Sequence, residues 1–276
     1  MSPASQVFCS GVQGTPVNAG SVPVTHVTSR DNPLVKDLRK LSRDSMAYRK
    51  QGRVWLEGDH LCRAALARGL KPEIAIFSES FWPLAQAELA QFAIKNIVIS
   101  DSLLPEISGL ESPARMGFVM ELPVAPELLL DATSVILDHV QDPGNVGSIL
   151  RSASAFGFRQ IIALKGTAAL WSPKVLRAGM GAHFALRLVE GVEPDALAAL
   201  RVPIVVTSSH HGSFLHQQKL PMPCAWAMGH EGQGVGDELM AMASLQVRIA
   251  QPGGEESLNV AAAAAICLHA STLEQP

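Results

Sequence analysis

The sequence predicts an α/β protein whose larger domain is built on a mainly parallel sheet with helices on both faces. Short apolar runs typical of buried strands alternate with segments whose apolar residues recur at helical spacing. Three glycine-rich polar segments each follow a predicted strand directly, which is where open α/β sheets place their ligand sites. With 276 residues and 47% hydrophobic content, the chain is expected to form two ordinary domains.

Residues 1–24 are predicted to form a disordered tail, because they carry no charged side chain and are rich in Ser, Gly, Pro and Val. They lack the basic start of a secretory signal and the arginines of a transit peptide. The four cysteines form no C-x-x-C pair, so we expect reduced thiols and a cytoplasmic protein. The longest apolar run, residues 260–268, is far shorter than the roughly 18 residues that cross a bilayer, so no membrane partner is expected.

Residues 25–123 are predicted to form a small α/β domain. Leu34, Leu38 and Leu41 recur at helical spacing in its first helix. Later apolar patterns predict helices at 61–66 and 84–92 and strands at 74–77 and 97–99. The prolines of residues 122–126 break structure, so the domain is expected to end there.

Residues 124–276 are predicted to form the second domain, which again alternates strands and helices. The predicted strands are 135–137, 161–164, 204–206, 225–227 and one that contains Val247. The predicted helices are 149–156, 173–180, 237–240 and 260–270.

The three polar segments are residues 142–151, 228–236 and 249–259. Glycine is needed where backbone must come close to a flat ligand, and the carboxyl ends of parallel strands share one edge of a sheet. We therefore expect the three segments to converge on one crevice. Phosphate-loop explanations fail, because the chain has no G-x-x-x-x-G-K-[ST] and the second segment does not follow G-x-G-x-x-G.

Each segment taken alone also has an ordinary structural explanation. Asn145 could be the N-cap of the helix that follows it, with Arg151 as an exposed cation. Ser257 and Asn259 could be capping and loop residues before the last helix, and Glu231 could be a loop-capping carboxylate.

Taken together, the segments resemble, in order and spacing, the signature motifs of the SpoU/TrmH family within the SPOUT class of RNA methyltransferases. The pattern D-P-x-N-x-G-x-x-x-R-x-A is similar to residues 142–153, G-x-E-G-x-G to 229–234, and I-P-x-x-G-x-x-x-S-L-N-V to 249–260. The chain departs from the family at Ala250, where proline is common, and at Gln251, where methionine is frequent. The resemblance implies a domain with a deep trefoil knot, methylation of ribose 2′-hydroxyls in RNA, and S-adenosylmethionine as methyl donor.

The resemblance also implies roles for individual residues. Arg151 matches the central catalytic position, and the matching residues that orient it, the ribose or the second loop are Asn145, Ser257, Asn259 and Glu231. Because a guanidinium is always protonated in proteins, we interpret Arg151 as stabilising the developing alkoxide or gripping a phosphate, not as a base. The residues that match main-chain contacts to the donor's adenine and ribose are Gly229, Ile249 and Leu258.

A second resemblance covers the front of the chain. Residues 28–36 and 55–58 are similar to the small substrate-binding domain that precedes the catalytic domain in ribosomal-RNA members of the family. Residues 30–71 hold 11 of the 22 Lys and Arg against five acids, a net +6, whereas the rest of the chain sums to −9. Clustered cations favour a phosphate-backbone partner, although a solvated amphipathic helix would also explain them. The predicted RNA-binding residues are Arg30, Lys36, Arg39 and Lys40.

The expected partners are ribosomal RNA and, from the resemblance, a second copy of the chain. Transfer RNA as substrate, or a non-catalytic RNA-binding assembly factor, are the alternatives. No metal site is expected, because no cysteine or carboxylate stands at ligand spacing from the histidines of the polar loop, His210, His211 and His216. His139 and His230 are predicted to border the crevice, where they could contact RNA. Lys174, Arg177 and Gly181 resemble a family segment that lines the substrate side, although surface charge alone would also explain them.

Overall fold

A computed structural model describes residues 24–208, 212–253 and 257–273. The predicted tail lies outside the described residues except for Val24, which begins the first strand, and His210 and His211 also lie outside them. In the described part of the chain, no helix is long and apolar enough to cross a membrane.

The described strands form two sheets. The strands of the first sheet are β1 (Val24–Val27), β2 (Arg53–Glu57), β3 (Ile74–Ser78), β4 (Lys95–Ile99) and β5 (Met116–Glu121). Those of the second sheet are β6 (Ser134–Leu137), β7 (Gln160–Leu164), β8 (Arg187–Val192), β9 (Ile204–Thr207), β10 (Ser213–Phe214), β11 (Ala225–Met228) and β12 (Leu245–Arg248).

The described helices lie between these strands. They are α1 (Pro33–Arg43), α2 (Ala47–Gln51), α3 (Asp59–Ala67), α4 (Trp82–Glu88), α5 (Leu104–Ile107), α6 (Pro143–Ala155), α7 (Pro173–Gly179), α8 (Asp237–Ala241) and α9 (Val260–Thr272). Short 3₁₀ turns cover Ala90–Phe92, Asp101–Leu103, Ala182–Ala185, Pro194–Ala199 and Leu215–Gln217.

The second sheet confirms the predicted parallel architecture. Its order is β10-β12-β9-β11-β6-β7-β8, and every neighbouring pair is parallel. The carboxyl ends of β6, β9, β11 and β12 therefore meet at one edge of the sheet. The trefoil knot stays a prediction.

The first sheet is mixed, with the order β1-β4-β3-β5-β2. Strand β5 runs antiparallel to both β3 and β2, whereas β1, β4 and β3 are parallel. Gly117 lies in the middle of β5, and a Cβ atom there would come within 2.1 Å of the Trp55 ring. The glycine therefore leaves the room that the Trp55 ring occupies.

Two predicted helices are shorter in the structure. The helix predicted at 84–92 ends at Glu88, and the carbonyl of Ala90 accepts a hydrogen bond from Asn96 Nδ2 at 3.0 Å instead of continuing a helical ladder. The helix predicted at 173–180 ends at Gly179, because Met180 adopts a left-handed conformation with φ of 50°.

The basic helix α1 buries one face, on which Val35, Leu38 and Leu41 point into the core of the first sheet. The amphipathic pattern read from the sequence is therefore real, with Val35 more deeply buried than Leu34. This leaves the cations of α1 on or near the surface.

Candidate active site

The three polar segments meet at the carboxyl edge of the second sheet. The first follows β6 and forms the start of α6, the second follows β11, and the third connects β12 to α9. Strands β6 and β11 are direct neighbours, and β9 separates β11 from β12. Sheet order therefore brings together segments that are far apart in the chain.

A chain of side-chain hydrogen bonds ties the three segments to one another. Glu231, in the second segment, accepts a hydrogen bond from Asn145 Nδ2 at 3.1 Å and from the backbone N–H of Asp142 at 3.2 Å. Asn145 Oδ1 in turn accepts from Asn259 Nδ2, in the third segment, at 2.9 Å. Three of the predicted catalytic side chains thus form one connected network.

The alternative explanation of Asn145, as the N-cap of α6, does not hold. The N-cap is Asp142, whose side chain accepts from the backbone N–H of Asn145 at 2.8 Å, and Pro143 occupies the first turn. Proline is favoured at the first helical position because its φ angle is already suitable and it has no N–H to satisfy. The helix therefore begins before Asn145 and leaves its amide free to bond the other two segments.

Asn259, by contrast, does cap its helix. Its Oδ1 accepts from the backbone N–H groups of Ala261 and Ala262 at 2.9 and 3.2 Å, while its Nδ2 donates to Asn145. The cap and the bond to Asn145 use different atoms of one amide, so the capping role leaves the proposed role in the site possible.

The hydrogen bonds to Glu231 also change its acidity. Burial alone would raise the pKa of this carboxyl, but the donors from Asn145, Asp142 and Gln141 outweigh it and lower the pKa below its ordinary value. The side chain is therefore an ionised acceptor at neutral pH.

A cavity of about 430 Å³ opens at this edge of the sheet. Five of the predicted site residues line it, namely Gly229, Glu231, Ile249, Ser257 and Leu258. Its volume lies within the range of roughly 300–1,000 Å³ that is usual for small-molecule sites. The third segment also contributes Gln251, whose Oε1 is buried and has no hydrogen-bond partner within the described residues. A lining that combines apolar and polar groups fits a nucleoside.

Gly229 has a structural role that the sequence did not reveal. A Cβ atom at this position would lie 2.1 Å from the carbonyl carbon of Gly234 and 2.2 Å from the nitrogen of Val235. The space beside Gly229 is therefore filled by the returning loop itself, and the glycine is needed for the loop to close on itself.

Arg151 lies outside this cavity. It is exposed on α6, about one and two-thirds turns beyond Asn145, and makes no hydrogen bond or ion pair with any described residue. The exposed side chains of Ser148 and Ala155 share its face of the helix. The structure thus brings the two asparagines and Glu231 together but leaves the predicted central cation free at the surface.

The predicted RNA-binding cations lie on and beside α1. Arg39 donates to Glu106 through a hydrogen-bonded ion pair, Arg30 lies 3.8 Å from the same carboxylate, and Lys36 pairs with Asp31 at 3.3 Å. Lys40 is exposed and has no ion pair with a described residue. The exposed pairs of Arg30 and Lys36 are weak and leave these two cations available to a phosphate backbone, whereas Arg39 is partly buried against Glu106.

The histidines and the further crevice residues fall into different environments. His139 donates from Nδ1 to the buried Asp138 at 2.6 Å, and His230 accepts at Nδ1 from the Gly232 N–H at 3.0 Å, within its own loop. His216 stacks on Phe214. The described residues contain no group of three or more potential metal ligands.

The other residues predicted on the substrate side lie toward the first sheet. A Cβ atom on Gly109 would be 3.0 Å from Arg177, and one on Gly181 would be 2.6 Å from Ala64. Arg177 and Gly181 therefore lie where the domain of the second sheet packs against the domain of the first. Lys174 is exposed nearby.

Sequence reasoning missed Thr207 and Ser208, which also line the cavity. Thr207 ends β9 and Ser208 follows it; this strand lies between β11 and β12 in the sheet but leads into no glycine motif. Only the strand order could have identified them.

A larger cavity of about 710 Å³ lies between the two domains. Apolar side chains form most of its wall, and three of its polar residues, Tyr48, Arg49 and Glu190, bond one another. None of the predicted site residues lines it, so we place the chemistry in the smaller cavity.

Comparison with known proteins adds to this geometry. Residues 132–269 match the model of the SpoU rRNA Methylase family, and residues 32–116 match the MRM3-like substrate binding domain. The chain is 32% identical over 250 residues to the 23S rRNA (guanosine(2553)-2′-O)-methyltransferase RlmP of Bacillus subtilis, covering 88% of this chain and 97% of that protein. It is 36% identical over 154 residues to mouse mitochondrial rRNA methyltransferase 3, covering 52% of this chain and 36% of that protein.

Solved structures are similar along nearly the whole chain. The AdoMet-bound rRNA methyltransferase of Sinorhizobium meliloti superposes with a TM-score of 0.78 at 28% identity, covering 90% of this chain and 97% of that one. A TrmH-family RNA methyltransferase of Porphyromonas gingivalis also gives 0.78, at 29% identity and 87% and 97% coverage. Both the sequence and the fold matches thus extend across the two domains.

Proposed function

The chain belongs to the SpoU rRNA methylase family, and on that premise we propose that it transfers a methyl group from S-adenosylmethionine to a ribose 2′-hydroxyl in ribosomal RNA. One observation carries the proposal: the Glu231–Asn145–Asn259 network joins all three motif segments beside one nucleoside-sized cavity. The similarity to RlmP along almost its full length supports ribosomal RNA, and an AdoMet-bound relative supports the methyl donor.

Different cavity residues bind the methyl donor and orient the ribose of the substrate. When bound, S-adenosylmethionine supplies an electrophilic methyl group on a sulfonium. Main-chain groups of Gly229, Ile249 and Leu258 hold its nucleoside part, because these residues line the cavity from two different segments. Ser257 lies in the same wall and is placed to orient the ribose of the substrate.

The hydrogen-bonded network fixes the part of the site that binds the methyl donor relative to the part that binds the RNA. Glu231 is bonded by the first segment, and Asn145 and Asn259 link that segment to α9. Methyl transfer needs three atoms in line, so most of the rate gain comes from such positioning.

Arg151 is proposed to act on the RNA side of the site. As an exposed and unpaired cation within the described residues, it is free to bind the substrate as the hydroxyl approaches. A guanidinium there stabilises the developing alkoxide and bonds a neighbouring phosphate through its planar fork.

The proposed domains are an RNA substrate-binding domain at 25–123 and a methyltransferase domain at 124–276. The cations of α1, Arg30, Lys36, Arg39 and Lys40, would contact the RNA backbone. The net +6 charge of residues 30–71 supports this division. The full-length similarity to a bacterial rRNA methyltransferase supports a cytoplasmic site of action.

A homodimer is also proposed, on the basis of α9. Most of this helix is apolar, yet Ile266 is 42% exposed, Ala262 is exposed on the same face, and Leu273, directly after the helix, is 70% exposed. His269 is the exposed polar residue between Ile266 and Leu273. Exposed apolar side chains on one face favour a protein contact, so a second copy of the chain is expected to cover this face.

The function is tested by methyl transfer from tritiated S-adenosylmethionine to purified ribosomal RNA, with transfer RNA as a parallel substrate. We expect label in ribosomal RNA, recovered in alkali-resistant dinucleotides because a 2′-O-methyl group blocks alkaline cleavage. Label only in transfer RNA would contradict the substrate. Filter retention of RNA without any label would contradict the enzymatic function.

A further inference from the structure

Gln251 is a cavity residue to which the motif comparison gives no role. It follows β12 in the third segment, at a position where the chain departs from the usual methionine. Its side chain lines the cavity together with Ile249 and Leu258. The Oε1 atom is buried and lacks a hydrogen-bond partner among the described residues.

A buried amide oxygen without a partner can accept a hydrogen bond from a bound ligand. A buried acceptor without a partner loses its hydration and gains nothing in return, so this oxygen favours a donor from a molecule that enters the cavity. A methionine at this position would have carried no such cost. The atom therefore indicates a ligand with a hydrogen-bond donor at this wall of the cavity.

The charge of the lining decides which end of the methyl donor lies there. Glu231 is the anionic side chain among the described lining residues, so the cationic sulfonium and ammonium groups are favoured near it. Ile249 and Leu258 form an apolar wall suited to a flat, neutral base. Gln251 lines the same cavity, two residues after Ile249 along the chain.

We propose that Gln251 Oε1 accepts a hydrogen bond from the exocyclic amine of adenine and thereby determines the base specificity of the donor site. This inference rests on the proposed function. Hypoxanthine carries a carbonyl oxygen where adenine carries the amine, so two acceptors would then face each other. A site with a buried, dedicated acceptor rejects such an analogue because both polar groups are left unpaired.

The test compares binding of S-adenosylhomocysteine and S-inosylhomocysteine by calorimetry. For the unmodified protein we expect the adenine compound to bind at least about tenfold more tightly, the effect of one well-formed buried hydrogen bond. In Gln251→Met the ratio should fall to about threefold or less, mainly through weaker binding of S-adenosylhomocysteine. Gln251→Glu, which keeps an acceptor, should retain the preference and also serves if the methionine variant does not fold.

Gln217→Met, an exposed position of the same domain outside the cavity, is the matched control and should keep the full ratio. An unmodified protein that binds both compounds equally would overturn the inference, as would a Gln251→Met variant with an unchanged ratio. Absence of binding to S-adenosylhomocysteine would instead overturn the proposed donor, and this inference with it.

Discussion

Asn145 and Asn259 show how one amide can serve structure and site together. Asn259 caps α9 with its oxygen and bonds Asn145 with its nitrogen. Sequence reasoning treats capping and function as competing explanations, because it sees residue types and not atoms. The outcome differs between the two residues: Asn259 caps its own helix, whereas α6 is capped by Asp142 and not by Asn145.

At the residue scale, replacing Arg151 tests the proposed stabilisation of the alkoxide. We expect Arg151→Ala to lower turnover by at least about 100-fold, the usual effect of removing one donor to a developing oxyanion. Arg151→Lys should recover only part of it, because lysine keeps the charge but loses the planar fork. The measurement is single-turnover methyl transfer, with calorimetry of S-adenosylmethionine binding alongside.

Arg159→Ala is the control, since Arg159 is another exposed arginine just beyond α6 and outside the motif. The donor dissociation constant of Arg151→Ala should stay within about threefold of the unmodified protein, because Arg151 does not line the cavity. Near-normal turnover would refute the role of Arg151.

The buried His183 is expected to make the free energy of unfolding depend on pH. Burial lowers the pKa of His183 to about 4, against a smaller opposing effect from its hydrogen bond to the Leu170 carbonyl at 2.8 Å. As pH falls below about 6.5, His183 binds a proton in the unfolded chain but stays neutral in the folded protein. The free energy of unfolding should therefore drop by up to about 3 kcal/mol between pH 6.5 and 4 from this residue.

Urea unfolding at pH 7, 5.5 and 4 measures the effect. His183→Gln stays neutral and can still donate to Leu170, so its stability should fall less over this range. His60→Gln removes an exposed histidine and should follow the unmodified protein. Parallel pH dependence of all three proteins would show that His183 is not held neutral.

At the scale of the element, the glycine of the first motif serves helix packing. A Cβ atom on Gly147 would lie 2.3 Å from Ala178 Cβ and 2.7 Å from the nitrogen of Gly179. Helices α6 and α7 therefore cross with backbone in contact, and no side chain fits between them. The sequence predicted the glycine as part of a site, whereas the structure gives it a role in placing α6.

Gly147→Ala is expected to destabilise the protein by about 1–3 kcal/mol, the usual cost of overpacking. Ser148→Ala, the next residue on the exposed face of the same helix, should change stability by less than about 0.5 kcal/mol. Chemical unfolding of both variants gives the comparison. An alanine at 147 as stable as glycine would mean that the two helices are free to separate.

At the scale of the whole molecule, Tyr48 and Glu190 connect the two domains. The Tyr48 hydroxyl donates to the Glu190 carboxylate at 2.8 Å, and the Leu170 N–H donates to the same group at 2.7 Å. Burial, followed by the charge of Glu190, raises the pKa of Tyr48 well above its usual value of about 10. The stability that this contact contributes is present below pH 10 and is lost as pH rises further.

Tyr48 is the only tyrosine, so tyrosinate absorbance reports it directly. We expect almost no tyrosinate signal in the folded protein at pH 10 to 11, whereas the urea-unfolded chain should give about half of the full signal at pH 10 and about nine-tenths at pH 11. Tyr48→Phe supplies the blank. Ionisation near pH 10 in the folded protein would mean that the hydroxyl is exposed and the domains are not joined there.

The proposed dimer is tested at the same scale. Ile266→Lys should produce monomers, because a charge would then lie on the face that a second copy is expected to cover. Ile94→Lys is the matched control, since Ile94 is 71% exposed on the first domain and should leave the assembly unchanged. Sedimentation velocity distinguishes a monomer from a dimer. An unmodified protein that is monomeric would contradict the proposed dimer.

The sequence by itself determined the parallel sheet, the three polar segments at strand ends and the family, because these depend on local periodicity and on residue order. Tertiary structure alone decided which atoms meet. The bond between Asn145 and Asn259, the cavity wall at Thr207 and the isolation of Arg151 all follow from strand order and helix packing. The physical reason is that hydrogen bonds and close contacts form between segments whose separation along the chain carries no information about their distance in space.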